Sequence, residues 1–340
     1  MHSSISSSNS AGYSPTDLAA ELRFRKATIA VILSVVVVML GAEILSRFAF
    51  PRVSQIEGRI TSDEREARSI RASAPGSPPT VLLVGNSLLL RGLDYPKIRT
   101  EMAPDARIVR FVIENTEYLD WYYGLRHSFA SGVRPSMVVL CLNLGQTVSS
   151  RTLGDYSARH LFGVSDLLPV AHEAGMSATR TSGLVLAHWS VFYASRATIR
   201  NFILNKADPP YATALHFLAD TTVNALPADD ILVSTARARL DAMQQLCRHF
   251  GVELVLLIPP SLSRYNDLLA SAAGLQHINF DYPLPLGALG PEYFRPDRTH
   301  LNEKGAAVFT DALARCLQTR LGKGTELGAV KRRAEPATRP

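Results

Sequence analysis

Cysteine is scarce: the 340 residues hold three, at 141, 247 and 316. An odd number at wide spacing excludes a disulfide framework and any clustered metal-ligand pattern, and three buried free thiols are expected. Charge is also thin, 19% of residues against 46% hydrophobic, and the net +6 is inflated by a C-terminal stretch containing Lys331, Arg332 and Arg333. No nucleic-acid motif accompanies that basic excess, so no DNA or RNA partner is expected. GxGxxG and a Walker lysine are both missing, which argues against a nucleotide site. No cofactor and no metal are expected, and no internal repeat appears.

The composition averages unlike regions. Residues 1–16 are Ser-rich with almost no aliphatic side chains, so 1–26 reads as a disordered tail that turns basic at Arg23, Arg25 and Lys26. From Ala27 to Ala42 there is no charge, and the apolar character continues to Phe50 past Glu43 and Arg47. At 1.5 Å per residue about 20 residues cross a hydrocarbon core of about 30 Å, so 27–50 is predicted to be one transmembrane helix. A buried core helix would need neighbouring core, which the flanks do not offer. A cleaved signal peptide would close on an AxA pattern, which is absent, so an uncleaved anchor is expected. Positive charge is similar on both sides, with Arg47, Arg52 and Arg59 following the run. Long C-terminal domains translocate largely regardless of charge. The expectation is a single-pass protein of the cell membrane with its main domain extracytoplasmic. Residues 51–79, rich in Arg, Glu, Ser and Pro, read as a stalk and linker, and 322–340 as a disordered basic tail.

Between them, 80–321 alternates strand-like and helix-like runs. TVLLVG (80–85), ARIVRFVI (106–113), SMVVLCLN (136–143) and VELVLLIPP (252–260) are continuous apolar runs, the pattern of parallel strands buried on both faces. HINFDY (277–282) is a weaker fifth. Helix-like stretches intervene, and a last helix runs from Glu303 to about Leu321. The fold class is therefore α/β: a three-layer, flavodoxin-like parallel sheet with helices on both faces. From about 144 to 228 the alternation stops, which reads as a helical insertion able to cap the sheet edge where a site would lie.

Two short segments carry chemistry. Strand one breaks off at Gly85-Asn86-Ser87. Parallel strands gather their C-terminal loops along one ligand-binding edge, and Ser87 would stand there. A plain turn with an Asn or Ser helix cap is the alternative. Far downstream, RPDRTHLN places Asp297 and His300 three apart, just before the final helix and on the same edge. A serine nucleophile needs a base within hydrogen-bond reach and a partner that orients the base. The alternative is an Asp297 ion pair with Arg295 or Arg298, with His300 and Asn302 capping the helix.

With these residues the sequence resembles the SGNH (GDSL-like) hydrolase superfamily. Gly85-Asn86-Ser87 is similar to its first block, and Asp297 to His300 to its closing DxxH. The resemblance covers roughly 80–143 and 229–320. It implies Ser87 as nucleophile, His300 as general base and acid, and Asp297 as orienting partner. It also implies an oxyanion hole built from the Ser87 N–H, a Gly after strand two and the Asn of GxND after strand three. Here strand two exits into Glu114-Asn115-Thr116 and strand three into Asn143-Leu144-Gly145, without GxND. Asn143 and Asn115 are the candidate donors. Asn86, Tyr118 and Trp121 are candidate substrate contacts, the aromatics as a carbohydrate-stacking platform with Tyr122 and Tyr123; packing against the sheet is their alternative. His188 and His249 read as core or helix-end residues.

The expected function is a membrane-anchored serine esterase or O-acyltransferase. Its substrate would be an ester or acylated carbohydrate, such as acetylated cell-envelope polysaccharide. The alternative is a catalytically weak scaffold that binds an envelope glycan or a membrane partner.

Overall fold

The computed structural model describes residues 15–74, 76–207 and 227–334. The chain divides into two compact units at Phe50.

The first unit is dominated by α1 (Pro15–Val53). Within it Glu21–Arg52 has a mean hydropathy of 2.6, and it is the helix among the described residues long and apolar enough to cross a membrane. Its Val, Ile and Leu side chains stand exposed, Val37 and Val38 among them. The helix begins at Pro15, so the second half of the tail expected over 1–26 is helical, with Arg25 reaching back one turn to Glu21 at 2.7 Å. Residues 1–14 lie outside the described residues.

The second unit holds a five-stranded parallel sheet in the order β2-β1-β3-β4-β5. Its strands are β1 (Thr80–Gly85), β2 (Arg107–Val112), β3 (Met137–Cys141), β4 (Glu253–Leu257) and β5 (Phe280–Asp281). The expected fifth strand shrinks to two residues, paired to Leu256 and Leu257. The remaining helices are α2 (Gln55–Arg68), α3 (Ser87–Gly92), α4 (Tyr95–Met102), α5 (Tyr118–Ala130), α6 (Leu144–Val148), α7 (Asp155–His160), α8 (Leu167–Glu173), α9 (Ala178–Trp189), α10 (Val191–Ala207), α11 (Asp229–His249), α12 (Tyr265–Leu275) and α13 (Glu303–Ala334).

The pleat explains the layers. Along β1, Leu82 and Val84 join one apolar cluster with residues of α2, α5, α11 and α12. Val81 and Leu83 join another with residues of α3, α4 and α13. A strand whose successive side chains feed opposite cores must be apolar at every position, which is why β1, β3 and β4 read as unbroken runs. The strand order reverses between β2 and β3 around β1, so the crevice beside the end of β1 is a topological switch point.

Helix signals are local. Asp94 caps α4 by accepting from the Lys97 N–H at 3.1 Å, and Pro96 sits in its first turn, where no intrahelical donor is lost. Helix α11 stops at Gly251, whose φ of 69° is the left-handed conformation a helix C-terminus favours.

Three boundaries differ from the expectation. Residues 51–79 are not simply a stalk: α2 packs on the sheet, with Ile60 and Ile70 each 1% exposed within the main core. Its buried charges find partners on distant elements. Arg59 donates to the Val112 carbonyl at 2.8 Å and pairs with Glu114 at 2.6 Å, and Arg110 pairs with Asp63 at 3.0 Å. Glu57 faces Arg159 at 2.8 Å and accepts from Tyr156, and His160 meets Glu64 at 2.7 Å. Burial alone would lower the His160 pKa, but the Glu57 and Glu64 carboxylates more than offset it and hold the ring above its ordinary value.

The second difference is at the far end. Helix α13 continues past Leu321 to Ala334 in place of a disordered tail over 322–340, of which 335–340 lie outside the described residues. The third concerns the insertion, which is helical from α6 to α10, with 208–226 outside the described residues. Leu161, Phe162, Leu167 and Val170 of the insertion pack into the core around α5 and α2. A Cβ on Gly124 of α5 would already meet Leu161 Cδ2 at 3.0 Å. The segment thus thickens one helical layer.

Candidate active site

Three loops converge at the C-terminal ends of β1 and β3. At the end of β1 the backbone must pass close to its neighbour: a Cβ on Gly85 would lie 2.7 Å from the Cys141 carbonyl oxygen. Only glycine lets β1 and β3 stay paired there. Asn86 then caps α3, its Oδ1 accepting from the Leu88 N–H and its Nδ2 donating to the Thr116 carbonyl, both at 3.0 Å. These bonds fix the turn and bring Ser87 to the first helical position, half-buried. At that position the Ser87 N–H has no acceptor within the helix.

The second loop precedes α13. Phe294 and Leu301 form an antiparallel bridge, and Arg295 N–H donates to the His300 carbonyl at 2.7 Å. Inside this loop Asp297 Oδ1 accepts from the backbone N–H groups of Thr299 and His300, each at 2.9 Å. The other oxygen, Oδ2, lies 2.9 Å from His300 Nδ1, and His300 Nε2 lies 2.9 Å from Ser87 Oγ. Ser87, His300 and Asp297 therefore form a continuous relay. Asn302 caps α13 by accepting from the Gly305 N–H at 3.1 Å. The capping half of the plainer alternative thus holds for Asn302, while the ring of His300 is occupied by the relay.

Desolvation opposes ionisation of Asp297, but the His300 and Thr299 N–H groups and the His300 ring together outweigh it and hold its pKa at about 2. The sign follows. A carboxylate with a depressed folded value stabilises the loop fully above its ordinary value of about 3.9, and the contribution fades as pH falls toward 2. A carboxyl-carbon NMR titration should therefore find Asp297 ionised at pH 3.5, and a midpoint near 4 would contradict this bonding.

The third loop follows β3. Asn143 caps α6 through Oδ1, which accepts from the Gln146 N–H at 2.9 Å. Its residue lines a cavity of about 330 Å³ together with Leu88, Arg298 and Thr299, the chain neighbours of the relay, and with the loop 259–263 that follows β4. A second cavity of about 210 Å³ continues past Asn143 to Tyr265. Residues 150–207 line neither cavity, whereas Leu144 and Gly145, at the start of the insertion, line the second.

The other expected residues fall elsewhere. Asn115 is exposed at a φ of 59° and lines neither cavity. Asn86 is fully buried with both ends of its amide engaged, so it shapes the turn and does not face a substrate. Tyr118 is 2% exposed and donates to the Arg239 carbonyl at 2.9 Å. Trp121 is 1% exposed and donates to Thr116 Oγ1 at 2.9 Å, its ring edge-on to Phe111. Both aromatics are core, since their apolar faces gain more from the sheet than from solvent; a stacking platform is not formed there. His188 donates from Nδ1 to the Ala158 carbonyl at 2.8 Å, as a structural residue. Sequence reasoning passed over Ser261 and Ser263 and weighed Arg298 only as an ion-pair partner of Asp297. Only the Pro259-Pro260 pair, breaking the chain after β4, marked that loop in advance. Among the described residues no cluster of His, Cys, Asp and Glu suits a metal ion.

No protein-family model matches the chain, and no curated protein matches it. Among solved structures it is similar to a GDSL-like lipase from Bacteroides thetaiotaomicron VPI-5482, at 10% identity and a TM-score of 0.40, covering 78% of this chain and 98% of that one. It is also similar to a mutant acetyl-xylooligosaccharide esterase from Geobacillus stearmophilus, at 14% identity and a TM-score of 0.36, covering 71% and 94%. An esterase from Pseudoalteromonas sp. matches at 12% identity and a TM-score of 0.36, covering 72% and 99%. At such low identity the site stands on its own hydrogen bonds.

Proposed function

We propose that the chain is a serine esterase or O-acyltransferase of the SGNH type, tethered to a membrane through α1. The observation that carries this reading is the relay from Ser87 Oγ through His300 to Asp297, with both links at 2.9 Å. In this reading His300 Nε2 takes the Ser87 proton as Oγ attacks the acyl carbon. Asp297, accepting from Nδ1, fixes the tautomer and stabilises the imidazolium. The imidazolium then protonates the departing alcohol, leaving an acyl-serine. Water or a sugar hydroxyl, deprotonated by the same ring, takes the acyl group and restores Ser87.

The developing oxyanion would be held by the Ser87 N–H and the Asn143 amide, whose residue lines the adjoining cavity. Losing one such donor costs about 2.7–4 kcal/mol of transition-state stabilisation. Two donors instead of a fuller set favour a slow esterase over an inert scaffold, because a scaffold has no need of a relay. Acetylated polysaccharide of the cell envelope is the proposed substrate class, with the domain on the outer side of the membrane.

A fluorophosphonate probe tests the reading. Detergent-solubilised wild-type protein should become covalently labelled at Ser87, and labelling no stronger than that of Ser87→Ala would end it.

A further inference from the structure

The cavity of about 330 Å³ beside the relay is lined by neutral groups, Asn143, Ser261, Ser263 and Thr299 among them, with one exception, Arg298. No acidic side chain lines it to balance that cation. Arg298 stands between the orienting carboxylate and the base in the chain, so its charge belongs to the same loop that positions His300. Leu88 and Thr299, the chain neighbours of Ser87 and His300, line the same cavity, so it adjoins the acyl site.

The two arginines of this loop are used differently. Arg295 is spent on structure: its N–H donates to the His300 carbonyl at 2.7 Å and its Nε to the Leu301 carbonyl at 3.3 Å. The Arg298 guanidinium has no ion-pair or hydrogen-bond partner among the described residues. Its backbone is held at a φ of 55°, a left-handed conformation uncommon for a residue with a long side chain. The turn is pinned by the Arg298 N–H to the Arg295 carbonyl at 2.8 Å and by Asp297 bonding Thr299 at 2.9 Å. Local strain of this kind is retained where the surroundings over-determine it, and such positions cluster at ligand sites.

Arg298 is exposed at the rim of this cleft of hydroxyls and amides, and an uncommitted guanidinium there offers paired donors matched to carboxylate or phosphate oxygens. We propose that Arg298 is a specificity-determining residue: it receives an anionic group, carboxylate or phosphate, carried by the ester substrate. This rests on the esterase reading and narrows it to acidic esters, such as those of uronic-acid or phosphate-bearing glycans. Neutral esters would bind the same cleft without that anchor.

The experiment uses the full chain in detergent and three aryl acetates of similar size: 4-acetoxybenzoate, 4-acetoxyphenyl phosphate and the neutral 4-acetoxybenzamide. The wild type should favour at least one anionic ester over the amide by about tenfold or more in kcat/KM, and the better of the two identifies the anion. Arg298→Asn suits the left-handed turn, since Asn tolerates that conformation well. It should reduce the preference about tenfold, mainly through KM, while Arg298→Lys retains an intermediate preference. Raising ionic strength should shrink the wild-type preference and leave that of Arg298→Asn unmoved. A preference unchanged within twofold in Arg298→Asn overturns the proposal. Turnover of none of the three esters by wild type would count against the esterase reading instead. Calorimetric binding to Ser87→Ala then decides the role of Arg298 separately: tighter binding of an anionic ester, lost in the Ser87→Ala, Arg298→Asn double variant, upholds it, and equal binding of charged and neutral esters overturns it.

Discussion

Ser87→Ala is expected to lower the turnover of an activated aryl acetate by about 10⁴-fold or more while leaving the melting temperature within a few degrees. Removing a nucleophile from a relay of this type costs as much as removing the relay, because the members act as a unit. Ser87 is half-buried at the first position of α3, and its hydroxyl bonds to His300 alone among the described residues. Its loss therefore leaves no buried group stranded, and stability is spared. The measurement is a pair: initial rates with 4-nitrophenyl acetate and a thermal melt of the same samples. A rate within tenfold of wild type would mean that hydrolysis takes place elsewhere, and a collapse of the melt would mean that Ser87 is structural. His300→Ala should match it in rate. Asp297→Asn should fall less far, because Asn302 and the backbone hold the loop and His300 still reaches Ser87.

Deletion of residues 55–70 is expected to abolish cooperative unfolding. Were this segment a spacer between anchor and domain, shortening it would change little. Instead Ile60 and Ile70 are each 1% exposed in the principal core. Truncating a buried Ile costs about 2–5 kcal/mol. The deletion also strands Arg159 and His160, which lose Glu57 and Glu64. An unpaired buried charge adds about 3–5 kcal/mol. Domains are stable by only about 5–15 kcal/mol in all, so the folded state should not survive. Near-ultraviolet circular dichroism and protease resistance report the outcome, and an unaltered melt would show that α2 is dispensable. The milder Ile60→Ala should lose about 2–5 kcal/mol and still fold.

The contrast between α2 and the strands shows what the sequence could express. In β1 and β3 each position is buried, and in β4 each position after Glu253, by one of two helical layers, so the run of Val, Leu and Ile is itself the signal. Ser87, Asp297 and His300 were legible because each stands where an element ends and a chain of their types has a known use. Helix α2 carries few apolar residues among many charges, and those charges looked solvated. Their partners Arg110, Glu114, Arg159 and His160 lie far along the chain, and no local pattern announces such pairing. Tyr118 and Trp121 failed as a platform for the opposite reason: ring faces suit a sheet as well as a sugar, and only packing decides. Arg298 was read only as an ion-pair partner for Asp297, because its interest lies in a backbone angle and in the absence of such a partner among the described residues.

The close approach of Gly85 to Cys141 also makes the protein its own strain gauge. Cys141 is wholly buried and paired in register with Gly85, and burial keeps its thiol far from the reactive thiolate form. Cys247, in α11, is held at about 12 by the same cause. A thiol reagent can reach Cys141 only when the helical layer of α3, α4 and α13 that covers it opens, and α3 begins at Ser87. The labelling rate of a single sulfur thus clocks how often the seat of the nucleophile opens, with no probe added to the chain.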